Sequence, residues 1–154
     1  MAAEPYRDSI YISAEPELVF EYFTKPEALI RWMGDRAELE PRPGGQFTLW
    51  FGERCVEGRY VEVDRPRRLV ITWGRRGSRE LPSGSSTLEV IFTAEDRGTR
   101  VSIVHDGLPE VARPRHALGW QHYLPRLRIL GDGGDPGPHV LPPSLIDGSD
   151  GSGG

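Results

Sequence analysis

Four histidines are the side chains in this sequence best suited to acid-base or metal chemistry, and their spacing limits what each can do. His105 and Asp106 are adjacent, but neighbours on a strand point to opposite faces, so they are not expected to form a catalytic base with its orienting carboxylate. His116 and His122 share a predicted helix, where their spacing rotates them about 240° from one another. They therefore cannot form one metal-binding face, and the sequence predicts neither a metal nor a cofactor.

Three other features could have a chemical role, and each has a simpler interpretation. Glu38 and Glu40 share one face of a strand and could act as an acid and base pair, although charges with this spacing usually face solvent. Gly44-Gly45 precedes a strand and does not open a helix, which favours a turn over a phosphate-binding loop. Cys55 is the only cysteine, so it cannot form an internal disulfide and is expected to be a buried strand residue.

His105 is predicted to face the interior, because it alternates in phase with Val101 and Ile103. A neutral imidazole in that position could exchange a hydrogen bond with a bound molecule. It could equally be satisfied by partners inside the protein. A catalytic alternative pairs His105 with Tyr60 or Glu62 as acid and base partners, in an enzyme of the cyclase or hydrolase type.

The aromatic residues also permit two interpretations. A buried aromatic side chain covers about 150–250 Å², so Trp32, Trp73 and Trp120 could simply fill a core. A strongly curved sheet wrapped around a helix can also leave unfilled space, and the same side chains would then line a pocket. The candidate ligand-binding residues are Trp32, Phe47, Leu49, Trp73, Phe92, His105, Trp120, Tyr123 and Leu124.

The first part of the chain is expected to form a strand and two short helices that position these residues. Residues 6–12 alternate weakly and indicate an edge strand. A helix should begin near Pro16, since proline suits a first helical turn and apolar residues follow at a spacing of three to four. Thr24, three residues before Glu27, matches a capping box and predicts a second helix that ends before Gly34.

From Ala37 the apolar spacing changes from helical to alternating, and breaks rich in Gly and Pro delimit about six further strands. Because the other faces of these strands are mostly polar, an antiparallel sheet with one solvated side is expected. The strand at 55–63 has two candidate phases, with either Tyr60 or Val63 facing inward, and its orientation stays open. The residues expected to face inward elsewhere are Phe47, Leu49, Phe51, Leu69, Ile71, Trp73, Leu88, Val90, Phe92, Val101, Ile103 and His105.

A last, long helix is expected from about Arg113, where apolar residues recur at helical spacing. Pro125 lies within it, and because proline removes a backbone hydrogen bond, a kink or break is expected near Gln121 to Pro125. The sequence thus predicts an α+β domain with a curved antiparallel sheet of about seven strands, two short helices after the first strand and a long C-terminal helix packed across the sheet.

Residues 131–154 are rich in Gly, Pro, Ser and Asp and are expected to be a disordered tail, so the folded domain is assigned to residues 1–130. Val140-Leu141 or Leu145-Ile146 in this tail could make a brief contact with the domain. The tail has four Asp and no Lys or Arg, which accounts for the whole formal net charge of -4. A neutral domain argues against nucleic acid as the main partner.

The chain has 154 residues, of which 37% are hydrophobic, and this is enough for one domain with a substantial core. It contains no apolar run of about 18 residues, and its first residues lack the pattern of a signal peptide. A soluble, cytoplasmic protein without a membrane span is therefore expected. The preference for Arg over Lys hints at a bacterial source.

Four sequence segments, in this order, resemble the heat-shock-protein-90 ATPase activator homologue family: Lys25 to Trp32, Pro43 to Phe47, Gly58 to Trp73 and His116 to Trp120. The resemblance extends from Ser9 to about Leu130. That family belongs to the START-like superfamily, so the resemblance implies a helix-grip fold, in which the sheet grips the long C-terminal helix. Relatives of this kind include chaperone-activating domains, lipid and polyketide binders and aromatase/cyclases, and the family has no universal catalytic motif.

Three functions are consistent with this sequence. The favoured one is a binding domain whose cavity between sheet and C-terminal helix takes a hydrophobic small molecule, such as a lipid, a polyketide or an aromatic compound, oriented by His105 and Tyr123. The second is an interaction domain with a protein partner, co-chaperone-like or regulatory, or a homodimer, in which the 74–86 loop could take part. The third is the cyclase or hydrolase type of enzyme described above, although the sequence favours a protein that is not an enzyme.

Overall fold

The computed structural model describes residues 3–138, so most of the predicted tail, including Val140-Leu141 and Leu145-Ile146, lies outside the described residues. The chain forms a sheet in the order β1-β7-β6-β5-β4-β3-β2, in which every neighbouring pair is antiparallel. This confirms the predicted α+β helix-grip fold with seven strands. The elements are β1 (Tyr6–Ile12), α1 (Pro16–Thr24), α2 (Pro26–Leu29), β2 (Arg36–Leu39), β3 (Gln46–Phe51), β4 (Arg54–Asp64), β5 (Arg68–Trp73), β6 (Ser86–Glu95), β7 (Gly98–Asp106) and α3 (Arg113–Gly131).

The inner face of the sheet carries the alternating apolar residues, and the helices cover it. On β5, for example, Leu69, Ile71 and Trp73 are buried while the residues between them are partly exposed. The same pattern holds for the predicted inward residues of β6 and β7, including His105, which is 0% exposed. Alternation therefore identified the buried face, because successive strand residues point to opposite sides of a sheet.

Strand β4 resolves the phase that the sequence left open, because both candidate phases occur in it. Tyr60 pairs with Ile71 and Val63 pairs with Leu69, with a register shift between Tyr60 and Glu62. Such a bulge places an extra residue on one strand and reverses the alternation beyond it. Tyr60 is therefore fully buried while Val61, the next residue, is 53% exposed.

The two short helices are present, but the capping box predicted from Thr24 and Glu27 is wrong. Lys25 is the N-cap of α2 and makes no side-chain cap. Thr24 belongs to the last turn of α1, where its buried hydroxyl donates to the carbonyl of Phe20 at 3.1 Å. The hydroxyl thus bonds back to its own helix and does not cap the next one. Helix α2 ends at Leu29, which is earlier than the sequence predicted.

Helix α3 runs from Arg113 to Gly131 with Pro125 inside it, so the helix has no break at this proline. Its buried side, which includes Leu124 and Leu127, packs under the sheet. At its C-terminal end it meets β1 closely: a Cβ added to Gly131 would lie 2.2 Å from Cγ2 of Ile12, a residue that is itself 0% exposed. The glycine permits this approach of helix and strand.

The chain turns back after α3 and follows the helix in the opposite direction. Gly133 and Gly134 donate backbone hydrogen bonds to Leu130 and Ile129, and the Asp132 carboxylate accepts one from the Ser13 amide at 2.8 Å. The Arg126 guanidinium then donates to the carbonyls of Pro136 and Gly137 at 2.9 and 3.0 Å. The first residues of the segment expected to be disordered are therefore hydrogen bonded to the domain.

Two glycines of α3 give opposite expectations for substitution by alanine. Gly131→Ala should lower the free energy of unfolding by about 1–2 kcal/mol, because the new methyl group overlaps the β-branched side chain of Ile12. Gly119→Ala should raise it by roughly 0.5–1 kcal/mol, because a Cβ there meets nothing within 4 Å and alanine favours the helix. Urea unfolding measures both. A Gly131→Ala protein as stable as Gly119→Ala would contradict the close contact with β1.

Candidate functional site

A cavity of about 150 Å³ lies between the first half of α3, the ends of β4 and β5, and the 74–81 segment that follows β5. A cavity of this size accommodates one aromatic ring. Its wall is mostly apolar, and it includes the apolar side chains of Met33, Phe51, Val56, Trp73, Leu81 and Trp120. The cavity lies between the sheet and α3, at one end of the core.

Trp73 and Trp120 form the floor of this cavity, one from the sheet and one from the helix. Their ring centroids are 5.6 Å apart, and Trp73 also lies 5.7 Å from Phe47 in the core behind it. Both tryptophans are nearly fully buried. The floor thus presents flat aromatic surfaces, which contact an apolar ring or chain at little entropic cost.

His105 holds this floor in place through a chain of buried hydrogen bonds. The indole N–H of Trp120 donates to Nδ1 of His105 at 3.1 Å. On the other side of the ring, Nε2 of His105 lies 2.9 Å from Oγ of Ser86, and that hydroxyl donates to the carbonyl of Trp73 at 2.6 Å. One imidazole therefore links helix α3 to strands β5, β6 and β7.

The donors in this chain fix the protonation of His105. An indole N–H can only donate, so Nδ1 of His105 must accept and carries no proton. Nε2 is then the protonated nitrogen and donates to Ser86, whose own proton goes to the Trp73 carbonyl. Burial lowers the pKa of His105 well below its usual value, with a smaller contribution from His116 nearby. The neutral form is therefore the one that this site holds.

His116 completes the cluster from the next turn of α3. Its Nδ1 lies 3.0 Å from the carbonyl of Ala112, and its Nε2 accepts a hydrogen bond from the indole N–H of Trp73 at 3.3 Å. The His105 and His116 rings are 5.2 Å apart and nearly perpendicular. Both tryptophan N–H groups of the cavity floor thus end on a histidine, which satisfies these polar atoms without a ligand.

The polar residues that border the cavity carry a net positive charge. Three arginines come from three different parts of the chain, namely Arg54, Arg75 and Arg115, and Glu80 is the one acidic residue beside them. All four are partly exposed. Tyr123, on α3, is buried and lines the cavity as well, and burial raises the pKa of its phenol, so it is a neutral donor. The cavity therefore combines an apolar floor with a cationic border.

The structure distributes the nine candidate ligand-binding residues among three locations. Trp73, Trp120 and Tyr123 line the cavity. His105 lies directly behind its floor, with both ring nitrogens bonded inside the protein. The remaining five, which are Trp32, Phe47, Leu49, Phe92 and Leu124, are 3% exposed or less, belong to the hydrophobic core, and are not among the residues that line the cavity.

Trp32 and Phe92 illustrate why some of the aromatic candidates belong to the core. The indole N–H of Trp32 donates to the carbonyl of Tyr22 at 2.9 Å, and its ring packs on Phe23. Phe92 packs edge to face against Phe20 and Phe23 from α1. These rings contact helix α1, so they fill the part of the core between α1 and the sheet.

Sequence reasoning missed the arginines and His116. His116 lies four residues before Trp120 and seven before Tyr123, on one helical face, and does not form a metal site with His122. This helical spacing is the sequence signal that could have placed His116 beside Trp120 and Tyr123. Arg54, Arg75 and Arg115 gave no such signal, because three separate elements bring them together.

The structure does not assemble the catalytic pairs considered for His105. Tyr60 lies on the same row of the sheet, but Ile71 and Leu88 separate the two, which places their backbones about 14 Å apart. The Tyr60 hydroxyl donates instead to the carbonyl of Phe23. Glu62 pairs with Arg68, and both are partly exposed. An acid-base role for His105 with either residue is therefore contradicted.

Within residues 3–138, no group of three or more His, Cys, Asp and Glu side chains could hold a metal ion. None of the helices in that part of the chain is both long and apolar enough to cross a membrane.

The sequence model of one protein family, described as activator of Hsp90 ATPase homolog 1-like protein, matches residues 13–131. A comparison with curated proteins found no match. Solved structures include an AHSA1-like protein from Rhizobium etli that is 36% identical, with 92% of each chain covered and a TM-score of 0.69.

Two further solved structures are similar to this chain. An Hsp90 activator from Plasmodium falciparum is 25% identical over 83% of this chain and 96% of its own, with a TM-score of 0.71. The Aha1 dimer from Colwellia psychrerythraea is 15% identical over 86% and 98%, with a TM-score of 0.74, which shows a shared fold.

The bonding of His105 predicts how stability depends on pH. The pKa of His105 is lower in the folded than in the unfolded chain, so below about pH 6.5 the unfolded chain binds the extra proton. The contribution of His105 to the free energy of unfolding is fully present above about pH 6.5. Below that pH, the free energy of unfolding should fall by roughly 1 kcal/mol per pH unit. The measurement is urea unfolding at pH 7.5 and 5.5, for wild type and His105→Gln.

Glutamine can still accept from Trp120 but does not titrate, and His116 is present in both proteins, so the difference between their pH slopes isolates His105. Equal slopes would contradict a buried, neutral His105.

Proposed function

The chain belongs to the activator of Hsp90 ATPase homolog 1-like family, and we propose that it binds a hydrophobic small molecule with an acidic group in the cavity between α3 and the sheet. The observation that carries this proposal is the unfilled space over Trp73 and Trp120. Apolar side chains normally close such gaps, because empty volume in a core costs stability. A retained cavity bordered by polar groups is the usual form of a ligand site.

The cationic border supports an acidic ligand. Arg54, Arg75 and Arg115 outnumber the single Glu80 at the cavity, and guanidinium groups suit carboxylates because they offer two parallel donors. The apolar part of the ligand would lie on the tryptophans and its carboxylate among the arginines. Aromatic acids, fatty acids and polyketide acids share this chemistry.

His105 would support this site without contacting the ligand. Both nitrogens of His105 are bonded to Trp120 and Ser86, so its role is to hold the floor in a fixed orientation. Tyr123, which lines the cavity with a neutral phenol, would be one of the polar groups of α3 that orient a ligand. Binding, and not catalysis, is the activity that this arrangement favours.

A second candidate function is protein binding or self-association through the outer side of α3. Leu118 and Ile129 are 45% and 43% exposed, and their spacing of eleven residues places them on one face of the helix. Exposed apolar residues that line up on a helix are typical of a contact surface. Light scattering of wild type and of the Leu118→Ser and Ile129→Ser double variant tests self-association, and two monomeric proteins would eliminate the homodimer.

The probe for the cavity is 4-phenylbutyrate, compared with its uncharged amide. A phenyl ring that buries about 130 Å² gains roughly 3 kcal/mol, and one exposed ion pair adds up to about 1 kcal/mol, so binding near 1 mM is expected. The four tryptophan indole N–H signals in ¹H–¹⁵N spectra report it. Signals of Trp73 and Trp120 should shift on titration, while that of Trp32 in the core should not.

Variants make this test specific for the cavity. Gly119→Leu places a side chain into the open space beside the cavity and should abolish the shifts, with Gly119→Ala giving a smaller loss. Arg54→Gln should weaken 4-phenylbutyrate about two- to fivefold and leave the amide unchanged, while Arg97→Gln, an exposed arginine in the β6–β7 turn, is the matched control. Equal binding to wild type and Gly119→Leu would refute the site.

A further inference from the structure

We propose that His116 and Trp73 together bind the carboxylate of the ligand, and that His116 takes up a proton when the ligand binds. This inference rests on the proposed function, because it concerns the same cavity and the same acidic class of ligand. It adds the contact that recognises the acid and the dependence of that contact on pH. His116 is partly exposed and lines the cavity near the start of α3.

The neighbours of His116 fix which of its nitrogens carries the proton. Nδ1 lies 3.0 Å from the carbonyl oxygen of Ala112, which can only accept, so Nδ1 is protonated and donates. The indole N–H of Trp73 can only donate, and Nε2 of His116 accepts it at 3.3 Å. The neutral ring of His116 therefore presents a lone pair to Trp73. His105 has the opposite tautomer, with its proton on Nε2.

A second proton on His116 would reverse its contact with Trp73. This proton binds at Nε2, because Nδ1 already carries one, and Nε2 then becomes a donor that faces the N–H of Trp73. Two donors cannot satisfy one another, and Trp73 is buried, so its N–H would lose its acceptor. The protein without a ligand therefore opposes the protonation of His116.

A carboxylate removes this conflict between the two donors. It has two oxygens that only accept, so it can receive one hydrogen bond from Nε2 of His116 and one from the N–H of Trp73. Both residues line the cavity in which the ligand would lie. An uncharged amide gains much less from an imidazolium, because hydrogen bonds between charged groups are stronger. The pair therefore favours an acid over its amide most strongly once His116 is protonated.

The other ionisable groups around His116 act in the same direction. The ring of His105, from β7, is 5.2 Å away and is neutral in its hydrogen-bonded form. Further ionisable side chains line the cavity from β4, from the 74–81 segment and from α3, and they are Arg54, Arg75, Glu80, Arg115 and Tyr123. With the Tyr123 phenol neutral, the charges among them sum to a positive value, which opposes one more positive charge on His116. A bound carboxylate offsets that charge and so favours the proton.

Ligand and proton therefore bind together. The proton comes from the solvent and returns to it when the ligand dissociates. The protonated form is the one that binds the acid well, so the apparent affinity falls with the fraction of the protein in that form. Affinity is thus highest below the pH at which His116 of the free protein titrates. It decreases as the pH rises above that point, by at most about tenfold per pH unit.

The indole N–H signals of the free protein test the contact without any ligand. In wild type, the Trp73 signal should change with pH at the same midpoint as the ring signals of His116. The Trp120 signal should change much less there, because that indole is bonded to His105. In His116→Gln, which keeps an acceptor for Trp73 but does not titrate, the Trp73 signal should stay constant. A wild-type Trp73 signal that does not follow the titration of His116 would overturn the proposal.

Titration with 4-phenylbutyrate at pH 8 and pH 6 tests the coupling. The probe stays ionised in this range, because carboxyl groups titrate at about pH 4. Wild type should bind the probe at least about fivefold more tightly at pH 6, and should bind the uncharged amide equally at both pH values. His116→Gln should lose this difference. His122→Gln, which removes a histidine of α3 outside the cavity lining, should keep it.

A measurement on wild type alone makes the test independent of the folding of a variant. At saturating probe, the midpoint of the His116 ring signals should lie at higher pH than in the free protein. An unchanged midpoint, probe binding of equal strength at both pH values, or a pH dependence that persists in His116→Gln would overturn the proton coupling and leave the ligand site intact. Absence of probe binding at both pH values would refute the site, and the coupling with it.

Discussion

The hydrogen bond from Trp120 to His105 is the interaction on which the site depends. It joins the long helix to strand β7 through two polar atoms that are both buried. Breaking it would leave an unpaired donor and acceptor away from water, which costs roughly 1–3 kcal/mol for each group. The tryptophan is therefore fixed in orientation and cannot rotate to fill the adjacent space. A cavity persists beside it because its wall is held by directional bonds as well as by packing.

Sequence patterns predicted the parts of this structure that arise from local periodicity. The inward phase of His105 followed from its alternation with Val101 and Ile103, since a strand has a strict period of two. The partners of His105 did not follow, because Ser86 and Trp120 lie 19 and 15 residues away in sequence and reach it only through the strand register and the placement of α3. Pairing over such distances is set by the topology of the fold, and the hydrophobic periodicity of the sequence does not encode that topology.

The failures of prediction have similar causes. Thr24 has the spacing of a cap, but burial in the last turn of α1 gives its hydroxyl a nearer acceptor, so tertiary packing overrides the local motif. The aromatic candidates could not be sorted into core and cavity because residue type is the same in both. What separates Trp32 from Trp73 is the helix that each one meets: Trp32 contacts Phe23 of α1, whereas Trp73 contacts Trp120 of α3.

Among residues 3–138, the order of the strands leaves β1 and β2 as the two edges of the sheet, and no other strand of that part of the chain pairs with their outer sides. An exposed edge invites pairing with a strand of another molecule and can start aggregation. Each edge carries charged side chains that are at least partly exposed, Arg7 and Asp8 on β1 and Arg36 and Glu38 on β2. β2 is also only four residues long. A second chain that approached either edge would have to bury these charges, so the sheet is protected against growth into a fibre.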